Sequence, residues 1–295
     1  MKIRYYLIAL TALLVASCSN DDKLNEKSIF TDGTENSVTE LDKWLQANYQ
    51  EPYNILLKYR FEFKESDETK NLAPAAYDKS IALAKLTKYL WIESYEELKG
   101  RDFIRKYCPK ILHFVGSYGY NSGGSVTLGV AEGGMKITLY NVNNINYEKP
   151  DIEFLNYWFF KTMHHEFAHI LHQTKPYPRD FNEISAADYQ SESWVNIDEK
   201  DPDNHLKMGF ISDYASRETQ EDFVELIANY ITHDQAWWDA QLKTAGDTGK
   251  SKITAKFDMV RDWLKSAWEI DIEQLRDIVQ RRSANVTRLD LQSLN

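Results

Sequence analysis

His165-Glu166-Phe167-Ala168-His169 sets two imidazoles and a carboxylate within five consecutive residues. Two histidines four apart on a helix share one face, one turn from each other, so both rings can reach a single ion. A glutamate directly after the first histidine stands beside that ion, where it can take a proton from metal-bound water. The chemistry this points to is hydrolysis at a zinc centre, with His165 and His169 as ligands and Glu166 as general base. Met163, Phe167 and Ile170 offer apolar faces to a core. A catalytic zinc takes three protein ligands and keeps a fourth position for water, so one ligand is still to be found. His172 is three residues on, but it stands about 10 Å along the helix axis from His165. Ligand atoms around one zinc lie only about 3–4 Å apart. His172 therefore reads as a packed or cleft-lining residue, and His164 points off the metal face.

The remaining ligand is sought in Ser212 to Glu225, which resembles the glutamate-zincin arrangement. There a second helix supplies a carboxylate ligand, and an acidic residue four positions later hydrogen-bonds a ligand histidine. Glu221 and Glu225 have that spacing and share a helix face, and spacing alone leaves open which of them binds metal. Tyr214 precedes Glu221 by seven residues, and Glu-x-Phe-x-Glu follows. This is similar to the catalytic region of lethal-factor-type toxin peptidases. That resemblance implies Glu221 as the third ligand and Tyr214 as a hydrogen-bond donor to the oxyanion. Glu225 is then left to orient His165 or His169. The longer metzincin pattern needs glycine at 172 and histidine at 175, where this chain has His172 and Lys175.

At 295 residues the chain has ample material for a core, and its 43% hydrophobic and 27% charged content is that of a soluble globular protein. A net charge of -10 argues against nucleic acid as a partner, because phosphate binding needs a basic footprint. The aromatic supply serves a core or an aromatic-lined cleft. Residues 1–17 read as a leader: Lys2 and Arg4, then the short apolar run Leu7 to Ala16, too short to span a bilayer. Val15-Ala16-Ser17-Cys18 is similar to the bacterial lipobox, which implies cleavage before Cys18 and a lipid anchor on it. Cys108 then has no thiol left to pair with. The following Ser19-Asn20-Asp21-Asp22 resembles the acidic export tags of surface lipoproteins. Residues 18–37 are polar and read as a flexible tether, and no later apolar run is long enough to cross a membrane.

Residues 38–295 read as one α+β domain. A strand is expected over Tyr53 to Phe63, and an amphipathic helix over Ala75 to Leu98. Short β-type runs at 110–115, 125–130 and 135–140, punctuated by glycines, suggest a small, mostly antiparallel sheet with hairpin turns. Asp151 caps the helix that carries the histidines, and Pro176 limits it. The C-terminal half is helical, at about 183–190, 216–232, 235–244, 252–267 and 271–284. The loop 191–212, with Trp194 and His205, reads either as a cover for the cleft or as a long surface loop.

Residues 38–290 resemble, as a whole, the zinc-binding metallopeptidase lipoproteins of Bacteroidetes-type bacteria, the substrate-import-associated zinc metallohydrolases. The likeness lies in Trp44-Leu45 with Pro52-Tyr53-Asn54-Ile55, the Gly-rich 116–134 region, residues 165–173 and the stretch from Tyr214 to Glu225. It implies a zincin-like fold, a peptide or protein substrate and a zinc hydrolase of the cell envelope. The chain would be anchored to the outer membrane through Cys18, on its periplasmic or cell-surface face, near nutrient importers. Two rivals remain at this stage. One is a non-catalytic accessory lipoprotein that binds peptide or glycan and keeps zinc for structure, although such a site has no need of Glu166. The other is an amidase acting on a non-peptide bond, which the same metal chemistry serves.

Overall fold

The computed structural model describes residues 38–121, 126–132 and 134–294, so the expected leader, the tether and Cys18 lie outside the described residues. The chain divides after Thr39, and Glu40–Asn295 carries the elements of the fold. Among the described residues no helix is long and apolar enough to cross a membrane.

Helix α1 covers residues 40–53, with a π turn at Gln46–Gln50. It ends where Asn54 turns left-handed, and strand β1 (Leu56–Lys58) follows. The strand expected over 53–63 thus shrinks to three residues, and Phe63–Glu65 is a 3-10 turn. Residues 77–99 form α2, again through a π turn, and Arg101–Tyr107 forms α3. Strands β2 (Ile111–Phe114), β3 (Gly119–Tyr120), β4 (Val126–Thr127), β5 (Gly129–Glu132) and β6 (Lys136–Leu139) come next.

β1, β2, β6 and β5 lie side by side in that order, and β3 pairs with β4 alone. The pairings correct the antiparallel expectation. β1 runs parallel to β2, and β2 parallel to β6; within this sheet only the edge strand β5 is antiparallel to its neighbour. Parallel neighbours need a long crossover. Helices α2 and α3 supply one between β1 and β2, and the β3–β5 excursion separates β2 from β6. β3 and β4 pair antiparallel, as do β5 and β6, and before β6 Gly134 takes a φ of 70°; Gly123 and Gly124 lie outside the described residues.

Residues 152–174 form α4, opened by Asp151, whose carboxylate accepts the Glu153 and Phe154 amides at 3.0 and 3.5 Å. A π turn at Asn156–Phe160 interrupts it before Lys161–Thr174. Met163, Phe167 and Leu171 face the core. Phe167 meets Trp91 and Tyr95 edge-on, at 5.6 and 4.9 Å between ring centroids. Beyond α4 come the short helices α5 (Phe181–Ile184) and α6 (Asn204–Met208), then α7 (Thr219–Thr232). The helix expected at 183–190 is replaced by α5 and turns. Helix α8 (Gln235–Trp268) joins two expected helices across a non-helical Gly246, and α9 is Ile272–Ser283.

Helix α7 is almost wholly buried from Asp222 to Thr232. Phe223 stacks on Tyr177 at 4.1 Å and meets Trp263 of α8 at 5.1 Å. The Asp222 carboxylate, fully buried, accepts from Lys256 of α8 at 2.7 Å and from the Tyr189 hydroxyl at 2.9 Å. This pins the helix that carries Glu221 and Glu225.

Two stability predictions follow from buried polar groups. Asp222→Ala leaves Lys256 charged and unpaired, and is expected to cost about 3–5 kcal/mol. Joint replacement by Asp222→Leu and Lys256→Met should recover most of that. Denaturant titration of the three chains reads the difference, and equal losses in single and double variants would refute it. On β2, His113 is buried and neither ring nitrogen has a partner among the described residues. Burial, and next the nearby Lys136 charge, hold its pKa below the usual value. The folded state keeps the ring neutral, whereas the unfolded chain gains a proton below about pH 6.5. The stability tied to His113 is therefore complete above that pH and declines as the pH drops below it. His113→Leu should stabilise the fold by about 1 kcal/mol and flatten that acid slope in urea titrations. An unaltered slope would exonerate the residue.

Candidate metal centre

The Thr162, Glu166, His169, Ile170 and Gln173 side of helix α4 lines a cavity, and α7 packs against the same helix. His165 Nε2, His169 Nε2 and Glu221 Oε2 converge there. The three separations are 3.2 Å between the imidazoles, 3.0 Å from His165 to Glu221 and 3.3 Å from His169 to Glu221. Tetrahedral bonds of about 2 Å place ligand atoms roughly 3.3 Å apart, so the triangle has the size a zinc ion needs. The donor set, two imidazoles and a carboxylate, also suits zinc. Burial disfavours a proton on His165, yet hydrogen bonds to Glu221 and Glu225 outweigh it and push its pKa up to about 10. Burial likewise raises Glu221, but the two histidines draw it down to about 2. The site's own field thus favours positive charge at this point. These three are the residues that could hold a metal among those described.

Each imidazole is held from behind. His165 Nδ1 lies 2.8 Å from Glu225 Oε1. A carboxylate only accepts, so Nδ1 carries a proton, and a metal bound at the centre would take the lone pair of Nε2. Glu225 is itself buried and accepts from Ser212 at 2.6 Å, Asn229 at 3.0 Å and Lys161 at 3.3 Å. Burial opposes its charge, but Lys161 and His165 hold its pKa well below the usual range. His169 Nδ1 lies 2.9 Å from His172 Nε2. Burial, then the charge of His169, lower the His172 pKa to about 4, so its ring is neutral at pH 7. If His169 offers Nε2 to a metal, its Nδ1–H donates to His172. His172 is therefore a partner of His169, a role its sequence position did not disclose. The signal was present: residues three apart on a helix are neighbours. His164 faces the other way, buried, with Nδ1 2.9 Å from the Tyr95 hydroxyl.

The triangle opens on a cavity of about 800 Å³. Glu166 lines it without belonging to the triangle, as do Tyr214, Arg217 and Trp194. The Tyr214 ring lies 5.9 Å from that of His165 and 4.9 Å from Trp194. Burial chiefly, then the Glu221 charge, push its hydroxyl up to about 12. The loop 191–212 thus contributes Trp194, whereas His205 is held elsewhere by Asp198 at 2.6 Å. Along the opposite wall β5 approaches α4 so closely that a Cβ on Gly129 would lie 2.5 Å from Thr162 Cγ2. Glycine is what lets the edge strand run against the histidine helix.

Residues 34–273 match the family described as putative zinc-binding metallo-peptidase, and the chain belongs to that family. Its cofactor is zinc. A crystal structure of a putative zinc-binding metallo-peptidase from Bacteroides caccae ATCC 43185 is similar over 90% of this chain and 99% of that one. The two share 39% sequence identity and a TM-score of 0.76. Among curated proteins none matches.

The geometry ranks the two acids of α7. Glu221→Ala should weaken zinc binding more than Glu225→Ala or His172→Ala, each of which should cost about 10–100-fold by freeing one imidazole. Competition with a fluorescent chelator measures this. A greater loss from Glu225→Ala would make Glu225 the ligand.

Proposed function

We propose that this chain is a zinc-dependent peptidase of the zincin type, with His165, His169 and Glu221 as ligands and Glu166 as general base. The observation that carries the reading is the triangle of ligand atoms opening on a cavity that Glu166 also lines. A purely structural zinc is enclosed by four protein ligands. Here three are at hand among the described residues, and an acid that is not one of them stands at the rim. That favours hydrolysis over an accessory binding role.

When bound, zinc supplies Lewis acidity, polarising a carbonyl and acidifying water. Glu166 takes the proton of the attacking water and returns it to the departing amine. Tyr214 donates a hydrogen bond to the oxygen on which negative charge develops. Glu225 keeps the His165 proton on Nδ1, and His172 does the same for His169. The outer edge of β5 lies beside α4, and an extended peptide would add to it as a further strand. The reading extends to the cell envelope: the leader pattern and Cys18 support a lipid anchor in the outer membrane, and the family resemblance supports work beside nutrient importers.

Glu166→Gln should keep its zinc by elemental analysis while cleavage of a quenched-fluorescent peptide pool falls at least about 100-fold. A chelator should abolish wild-type cleavage, and added zinc should restore it. Full turnover by Glu166→Gln would remove the mechanism. Turnover of peptidoglycan fragments in place of peptides would reassign the enzyme as an amidase of another class.

A further inference from the structure

Tyr214 is fixed more firmly than an oxyanion donor on a loop would need to be, and one neighbour has no part yet in the chemistry. The tyrosine opens a 3-10 turn, Tyr214–Ser216, just before α7. Asp213 accepts its amide at 2.7 Å. Ser212, which donates to Glu225, also accepts the Ala215 amide at 3.1 Å. The backbone of the turn is thereby tied to the group that orients His165. The ring is set between His165 and Trp194. What remains free in a phenol is the hydroxyl proton, which lies near the ring plane on one side of the oxygen or the other.

Arg217 settles that choice. Its Nη1 lies 3.2 Å from the Tyr214 oxygen. A guanidinium has donors only, so the tyrosine oxygen must accept in this bond. One side of the oxygen is taken, and the phenol proton is left to the other. The guanidinium is held in turn. Its Nη2 meets Glu192 at 3.2 Å, and the backbone clasp Gln190 to Ser216 (2.7 Å) and Ser191 to Arg217 (3.0 Å) fixes the turn. A cation on the oxygen also makes the hydroxyl a stronger donor.

We propose that Arg217 is a positioning residue which aims the Tyr214 hydroxyl, so that the phenol donates its proton to the developing oxyanion of the substrate. This rests on the peptidase reading above and deepens it. Arg217 hydrogen-bonds Tyr214 and Glu192, and on this reading its effect on the chemistry passes through Tyr214. Two other roles for a cationic side chain at this rim would leave different marks. A site for a substrate carboxylate would act through KM and would persist without the tyrosine hydroxyl. A mere brace for the turn would impair binding of any ligand and lower stability.

The test uses the zinc-loaded chain and the variants Arg217→Ala, Arg217→Lys, Tyr214→Phe and the double variant Tyr214→Phe/Arg217→Ala. One readout is independent of turnover: calorimetric affinity for a tripeptide phosphonamidate, whose tetrahedral anionic phosphorus group imitates the oxyanion. Arg217→Ala and Tyr214→Phe should each weaken it roughly tenfold or more, and the double variant no further. Arg217→Lys keeps an N–H donor and should recover part of the loss. With the best-cleaved member of the peptide pool, kcat should fall in parallel while KM stays within about twofold. Losses that add in the double variant, or an Arg217→Ala chain that binds the phosphonamidate like wild type, overturn the proposal alone. A Tyr214→Phe chain that loses nothing, or wild-type protein that does not bind the phosphonamidate, overturns it together with the oxyanion role given to Tyr214.

Discussion

Three side-chain atoms, from α4 and α7, must meet within about 3 Å of one another, and much of the interior serves that convergence. Two imidazole nitrogens and a carboxylate oxygen at 3.0–3.3 Å suit a cation between them. The helices that bring them together are therefore anchored from behind. Phe167 sits among Trp91, Tyr95 and Phe103, and Phe223 among Tyr177, Phe181 and Trp263. Asn156 bonds the Thr232 carbonyl at 3.0 Å, joining the start of α4 to the end of α7. The Asp222–Lys256 pair ties α7 to α8. A buried ion pair is an uncertain source of stability, but it has one favourable geometry, and here that geometry fixes how α7 sits.

The two histidines are oriented by unlike partners. Glu225 is anionic and satisfied by Ser212, Asn229 and Lys161, so it cannot turn away from His165 without losing several bonds. His172 is neutral, packed against Tyr177 and Phe223. An anionic partner raises the basicity of an imidazole more than a neutral one does. The pair of histidines that looks symmetric in the sequence is thus chemically graded by its surroundings.

Local spacing made the centre legible. His165, His169 and the Glu221/Glu225 pair each obey the helical i, i+4 rule, which can be read without any knowledge of tertiary structure. The partners beyond them were harder to read. Helix geometry argues against His172 as a ligand, but it says nothing about where the far nitrogen of His169 points. Ser212, Asn229 and Arg217 are single polar residues with no periodic signal, and Lys256 reads like any other lysine on a helix. The sheet failed for a similar reason. Short strands and glycines locate hairpins, as they did at β5–β6, but the direction of β1 and β2 depends on which distant strand each meets. Alternation over 53–63 persists past Lys58, the last residue of β1 that finds a partner in β2.

The outer edge of β5 has a further consequence. A row of backbone donors and acceptors open to an incoming chain does not discriminate by sequence, and so it can also take a strand from a second copy of the protein. Two features limit that hazard. The strand is four residues long, and Gly129 gives it no side chain to interlock. If a substrate strand does add at this edge, the same shortness that makes its stay brief would disfavour lasting pairing between copies.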